Sequence, residues 1–168
     1  MSREAAATMA ADGFVHLIAA APLHADPERV AELLRRDGCP WPSGTEERAA
    51  VAGLRRYAVD LRLRVGRDDA GLTTFSKAAF LDVGPPRRTP TGWEVEISWR
   101  ASSGAPLFPV FSGWLAIGPD QLRIEGLYAP PGGTVGRVAD RMLLHVAASG
   151  TARWLLHELD RAALGAAG

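Results

Sequence analysis

"LYAPPGGTVGRVADRMLLHV", Leu127 to Val146, joins a β-like run, a Pro-Pro-Gly-Gly break and a helical run with no spacer between them. Strand, glycine turn and helix N-terminus are also the parts of a phosphate-binding loop, so this stretch separates a nucleotide enzyme from other folds. Gly132, Gly133 and Gly136 occupy the right place, but their spacing is neither GxGxxG nor GxxxxGK[ST], and no lysine follows. No strand comes after the helix, so no βαβ unit can form. Pro130 and Pro131 end the strand, and the glycines permit a sharp reversal into a helix over about residues 134–164, kinked near Ser149-Gly150. The break is a hinge between sheet and helix, not a nucleotide cradle.

Upstream of that hinge the period is two. In "WEVEISWR", Trp93, Val95, Ile97 and Trp99 share one face while Glu94, Glu96, Ser98 and Arg100 share the other. Tyr57, Val59, Leu61, Leu63 and Val65 alternate with polar or small residues in the same way, as do Leu122, Ile124, Gly126 and Tyr128. "GLTTFSKAAFLDVG" and "LFPVFSGWLAIG" add two strands, with Pro109 marking an edge or bulge, and "PPRRTPTG" reads as turn. A first strand, "GFVHLIAAAPL", precedes the helix "ADPERVAELLRRDG", which has Asp26 as cap, Pro27 in the first turn, an apolar stripe of Val30, Leu33 and Leu34, and Gly38 as stop. Thr45 is a candidate cap for a second short helix over about residues 46–53. The expected class is α+β: a strand, one or two short helices, about five antiparallel strands and one long C-terminal helix. An antiparallel sheet with one apolar face must have that face covered, and the long helix is the element large enough to do so.

The chain has 168 residues and is 47% hydrophobic, enough for one domain, residues 1–168, with a full core; residues 1–12 read as a flexible or helical extension. Positive and negative side chains balance at 19 each, which argues against a nucleic-acid footprint. No apolar run approaches membrane-spanning length, so no stable membrane insertion is expected. The opening "MSREAAATMAADG" lacks the basic region of a signal peptide, and a cytoplasmic location is expected. One cysteine, Cys39, makes neither an internal disulfide nor a cysteine zinc site.

The order of these elements resembles the START-like, or polyketide-cyclase-like, helix-grip superfamily (SRPBCC). The resemblance runs through "ADPERVAELLRRDG", the meander from Arg56 to Tyr128 and the helix after "APPGGTVGR". It rests on element order and texture, since that superfamily has no invariant catalytic motif. It implies a curved antiparallel sheet wrapped around the long helix, an apolar cavity between them, and binding of lipids, sterols, polyketides or other hydrophobic molecules. Some members of the superfamily are cyclases or aromatases.

Within that frame Tyr57, Trp99, Trp114 and Tyr128 are candidates to line the cavity, as large apolar walls with polar tips; plain core filling is the alternative for each. Lys77 is the one lysine of the chain and shares a face with Phe75, Ala79 and Leu81 in "TFSKAAF". Inward, it would bind a carboxylate or act as a nucleophile; at a bulge or edge, its amine stays in water, which is the preferred reading. Met142 falls at helical spacing on the sheet-facing stripe of the C-terminal helix, with His145 at its flank, either as a polar group at the cavity wall or as a solvated histidine. His145 and His157 are twelve residues apart, about 120° round a helix, so they do not share a face. No metal site and no cofactor are expected, and no G-x-S-x-G elbow marks a nucleophile. No catalytic residue is assigned.

Three functions fit this reading. The first is binding of a hydrophobic small molecule, lipid-, polyketide- or aromatic-like, between sheet and C-terminal helix. The second is a polyketide cyclase or aromatase on the same scaffold. The third is an interaction module whose cavity is filled by side chains. A homodimer is compatible with all three.

Overall fold

The computed structural model describes residues 14–47, 53–68, 71–102, 110–129 and 138–166; within these, the side chains of 47, 62–77, 138–144 and 147 are outside the description. Eight strands and two helices follow in the order β1 (Val15–Pro22), α1 (Pro27–Arg35), β2 (Gly44–Glu47), β3 (Arg55–Asp68), β4 (Gly71–Val83), β5 (Arg87–Thr89), β6 (Gly92–Ala101), β7 (Val110–Ile117), β8 (Gln121–Ala129) and α2 (Val138–Gly165). All strands belong to one antiparallel sheet in the order β1-β8-β7-β6-β4-β3-β2, with β5 paired to β6.

The fold class expected from the sequence is corrected in its elements. Where a second helix was to start at Thr45, the chain forms strand β2, with Thr45 opposite Ala58 and Glu46 opposite Tyr57. The free edge of β3 supplies hydrogen bonds that a weak local helix signal does not match. Gly44 is required there, because a Cβ would lie 2.3 Å from the Ala58 carbonyl oxygen. Part of the turn-rich stretch is strand as well: Arg87–Thr89 pairs with β6. The result is an antiparallel sheet of eight strands with one short helix and one C-terminal helix, an arrangement consistent with a helix-grip fold. The extension 1–12 and the turn Pro130–Gly136 lie outside the described residues, and α2 runs unbroken through Ser149 and Gly150.

Helix α2 approaches β3, β1 and β8 closely, with no comparable approach to β4, β6 or β7 among the described residues. On a flat sheet β1 and β3 would stand five strand spacings apart, about 24 Å, whereas a helix is about 10–12 Å across. A helix crossing such a sheet from one flank to the other would pass over the middle strands. Contact with both flanks therefore requires the sheet to curve, and side chains of the middle strands occupy the interval. Leu17, Leu61, Leu81, Ile97, Trp99, Phe111, Leu115, Ile124 and Tyr128 face inward and are buried, as are Ala148, Thr151, Ala152, Leu155, Leu156, Leu159 and Ala163 of α2. Helix α1 packs against α2, β6 and β7 through Val30, Ala31, Leu33 and Leu34. Asp26 caps it, accepting from the Glu28 amide at 2.7 Å.

Two polar contacts tie α2 to distant parts of the chain. The Trp41 indole donates to the Leu155 carbonyl at 3.0 Å. Asp160, buried on α2, accepts from the backbone amides of His24 at 2.9 Å and Ala25 at 3.1 Å, and lies 2.8 Å from the His24 ring Nδ1. Burial pushes the Asp160 carboxyl up, but the His24 side-chain and backbone hydrogen bonds, the Ala25 amide and the His24 charge outweigh it and hold it below its usual value. A depressed carboxyl contributes stability above its unfolded pKa of about 3.9, and that contribution is lost as pH falls through the lower folded value. Asp160→Ala leaves two amides without an acceptor and is expected to cost about 1–3 kcal/mol at pH 7, with the gap to wild type narrowing below about pH 4. Thermal melts from pH 7 to pH 2 check this; a gap that stays constant to pH 2 contradicts it.

Gly113 and Gly126 face each other across β7 and β8. A Cβ on Gly126 would sit 2.3 Å from the Ser112 carbonyl oxygen, 2.6 Å from the Gly113 Cα and 2.8 Å from the Phe111 ring, so the two strands approach closely with that ring beside them. Gly126→Ala is expected to lower stability by about 1–3 kcal/mol. Gly165→Ala, which meets nothing within 4 Å, is the control expected to melt like wild type. Equal melting of all three proteins would contradict the close approach.

Candidate functional site

Strand register brings the aromatic side chains of the inner face into one line. Tyr57 on β3 is opposite Leu81 on β4, Leu81 opposite Trp99 on β6, Trp99 opposite Phe111 on β7, Phe111 opposite Tyr128 on β8, and Tyr128 opposite Val15 on β1. Residues opposite one another in an antiparallel pair share a face, so Tyr57, Leu81, Trp99, Phe111 and Tyr128 form a single buried row across five strands. Trp99 and Phe111 stack with ring centroids 4.0 Å apart and planes 16° apart. The next row, towards the β3–β4 turn, carries small side chains: Val59, Ala79 and Ala101.

Polar atoms in this row are few. The Tyr128 hydroxyl lies 3.4 Å from Nδ1 of His145, a long contact, and the two rings are 6.1 Å apart. His145 is itself exposed, so this pair marks the point where the interior row meets the solvent-facing side of α2. Burial pushes the phenols of Tyr57 and Tyr128 above their ordinary pKa. Trp99 is 1% exposed, and its Nε1 has no hydrogen-bond partner among the described residues. The Trp93 indole nitrogen is likewise buried and unpaired, but that ring lies under the guanidinium groups of Arg35 and Arg88, on a half-buried residue at the other end of β6.

Of the residues expected from sequence, Tyr57, Trp99 and Tyr128 lie together on the row, and His145 touches Tyr128. Trp114 does not belong to it. Phe111, Gly113, Leu115 and Ile117 point inward from β7, which turns Trp114 to the outer face between Glu96 and Glu125, 40% exposed. The inward position next to it is Gly113, which has no side chain to reveal its orientation. Phe111, absent from the sequence candidates, takes the central place, and its parity with Leu115 and Ile117 was the available signal. Lys77 pairs with Leu61 through its backbone, and its side chain and that of Met142 are outside the described residues.

Elsewhere, three surface clefts of about 210–350 Å³ lie away from this row, lined for example by Thr91, Glu94, Asp120 and Arg123 at the β7–β8 turn or by Arg29, Glu32, Arg36 and Ala163 between the helices. Among the described residues no three His, Cys, Asp or Glu side chains converge as a metal site would need. No described helix is long and apolar enough to cross a membrane. The buried Cys39 thiol is pushed up by burial, which works against nucleophilic use.

No protein-family model matches the chain, and no curated protein does. Among solved structures, it is similar to the crystal structure of TTHA0849 from Thermus thermophilus, with a TM-score of 0.51 and 16% identity over 91% of this chain and 99% of that one. That likeness concerns the fold alone.

Proposed function

We propose that this protein binds a hydrophobic small molecule, lipid-, polyketide- or aromatic-like, between helix α2 and the inner face of its sheet. The observation that carries the reading is the row Tyr57–Leu81–Trp99–Phe111–Tyr128, an apolar wall whose polar tip meets exposed His145. Ligand sites are mostly apolar with a few placed polar groups, which is the composition of this row. The small residues Ala79 and Ala101 flank it, and α2 keeps close contact with the sheet's flanks rather than its middle. A cytoplasmic binding protein fits the single buried cysteine without a disulfide partner.

Fatty acids, sterols and polycyclic aromatics, tested separately by thermal shift, are expected to include one class that raises the melting temperature, by about 2.7 kcal/mol of stabilisation at a hundredfold excess over Kd. Ala101→Phe adds bulk beside the row and is expected to weaken that binding at least about tenfold, a loss of about 1.4 kcal/mol. Trp114→Ala, on the outer face, should leave it unchanged. No shift from any class, or equal loss in both variants, contradicts the assignment.

A further inference from the structure

We infer that the ligand carries a hydrogen-bond-accepting oxygen, such as a ketone or ester carbonyl, and that Trp99 Nε1 donates to it. This inference rests on the binding reading above and adds the chemical class of the ligand.

An indole nitrogen can only donate, and buried donors in folded proteins are nearly always paired. Leaving one unpaired costs about 1–3 kcal/mol. The chain meets this requirement at Trp41, whose Nε1 reaches the Leu155 carbonyl at 3.0 Å. At Trp99 it does not, although that residue is 1% exposed and its nitrogen has no access to water. The neighbouring aromatic ring does not substitute as acceptor. The N–H lies in the indole plane, and that plane is within 16° of parallel to Phe111 at 4.0 Å, so the N–H runs alongside the Phe111 face rather than into it. A phenylalanine at position 99 would keep the stack without an orphan donor, so the indole nitrogen is the one feature of the row that packing leaves unused.

The row has two other polar tips, the hydroxyls of Tyr57 and of Tyr128, and the latter stands one strand beyond Phe111 and contacts His145. Of the three, Trp99 Nε1 is the one sealed from solvent without a partner among the described residues.

The test uses full-length protein and two tricyclic probes of nearly the same shape, 9-fluorenone and fluorene, which differ in one carbonyl oxygen. Calorimetric or fluorescence titration is expected to give at least about tenfold tighter binding of fluorenone by wild type, equivalent to about 1.4 kcal/mol. Trp99→Phe is expected to bind both probes alike. Should that variant fold poorly, replacing Trp99 by its sulfur isostere β-(3-benzothienyl)alanine removes the N–H and keeps the ring, with the same expectation. Equal affinities in wild type would overturn the inference while leaving hydrophobic binding intact. A preference for fluorenone that survives loss of the N–H would overturn the role of Trp99. Failure of both probes to bind would overturn the inference, while the thermal-shift panel of fatty acids, sterols and polycyclic aromatics decides the reading it rests on.

Discussion

One face of the eight-stranded sheet is apolar from Ala19 on β1 to Leu61 on β3, and covering it is the constraint that organises the chain. At about 25 cal/mol per Å² of buried apolar surface, no other interaction here approaches it in size. Helix α2 supplies the cover, with Leu155, Leu156 and Leu159 fully buried. A curved sheet and a helix leave the helix free to slide unless something polar fixes it. Asp160 does so by taking two amides at the end of β1, and Trp41 does so by reaching the Leu155 carbonyl. Both contacts lie in the C-terminal half of the helix and are directional, which an apolar interface alone is not.

The same curvature creates the candidate site. Because α2 rests on β1, β8 and β3, the middle strands present their inward side chains to an interval rather than to a closely opposed backbone. Trp99 and Phe111 occupy that interval, and the glycine pair Gly113–Gly126 lets β7 and β8 draw together beside the Phe111 ring. Packing explains the rings, the glycines and the alanines. It does not explain an indole nitrogen sealed from water without an acceptor.

Much of this was legible in the sequence where the signal is local. Alternation in "WEVEISWR" placed Trp93, Val95, Ile97 and Trp99 inward, and Asp26-Pro27 marked the start of α1. What escaped depends on partners far along the chain. Strand β2 exists because β3 offers an edge, and nothing within Gly44–Glu47 announces that edge. Trp114 drew attention as a large aromatic, yet orientation is decided by parity, and Gly113 at the inward position carries no hydrophobic signal. The Asp160 clamp joins residues 136 positions apart, and the Trp41 bond joins residues 114 apart. Neither separation has a sequence pattern.

The central claim is that the buried aromatic row receives a ligand through an N–H that the protein itself leaves unpaired. Nuclear magnetic resonance of ¹⁵N-labelled protein resolves this at the atom concerned, since each of the five tryptophans contributes one indole N–H signal. On addition of a carbonyl-bearing aromatic, the account predicts that the Trp99 indole proton moves downfield as its hydrogen bond forms, while the Trp41 signal, already bonded to Leu155, stays in place. A saturating ligand that leaves the Trp99 signal unmoved would contradict it.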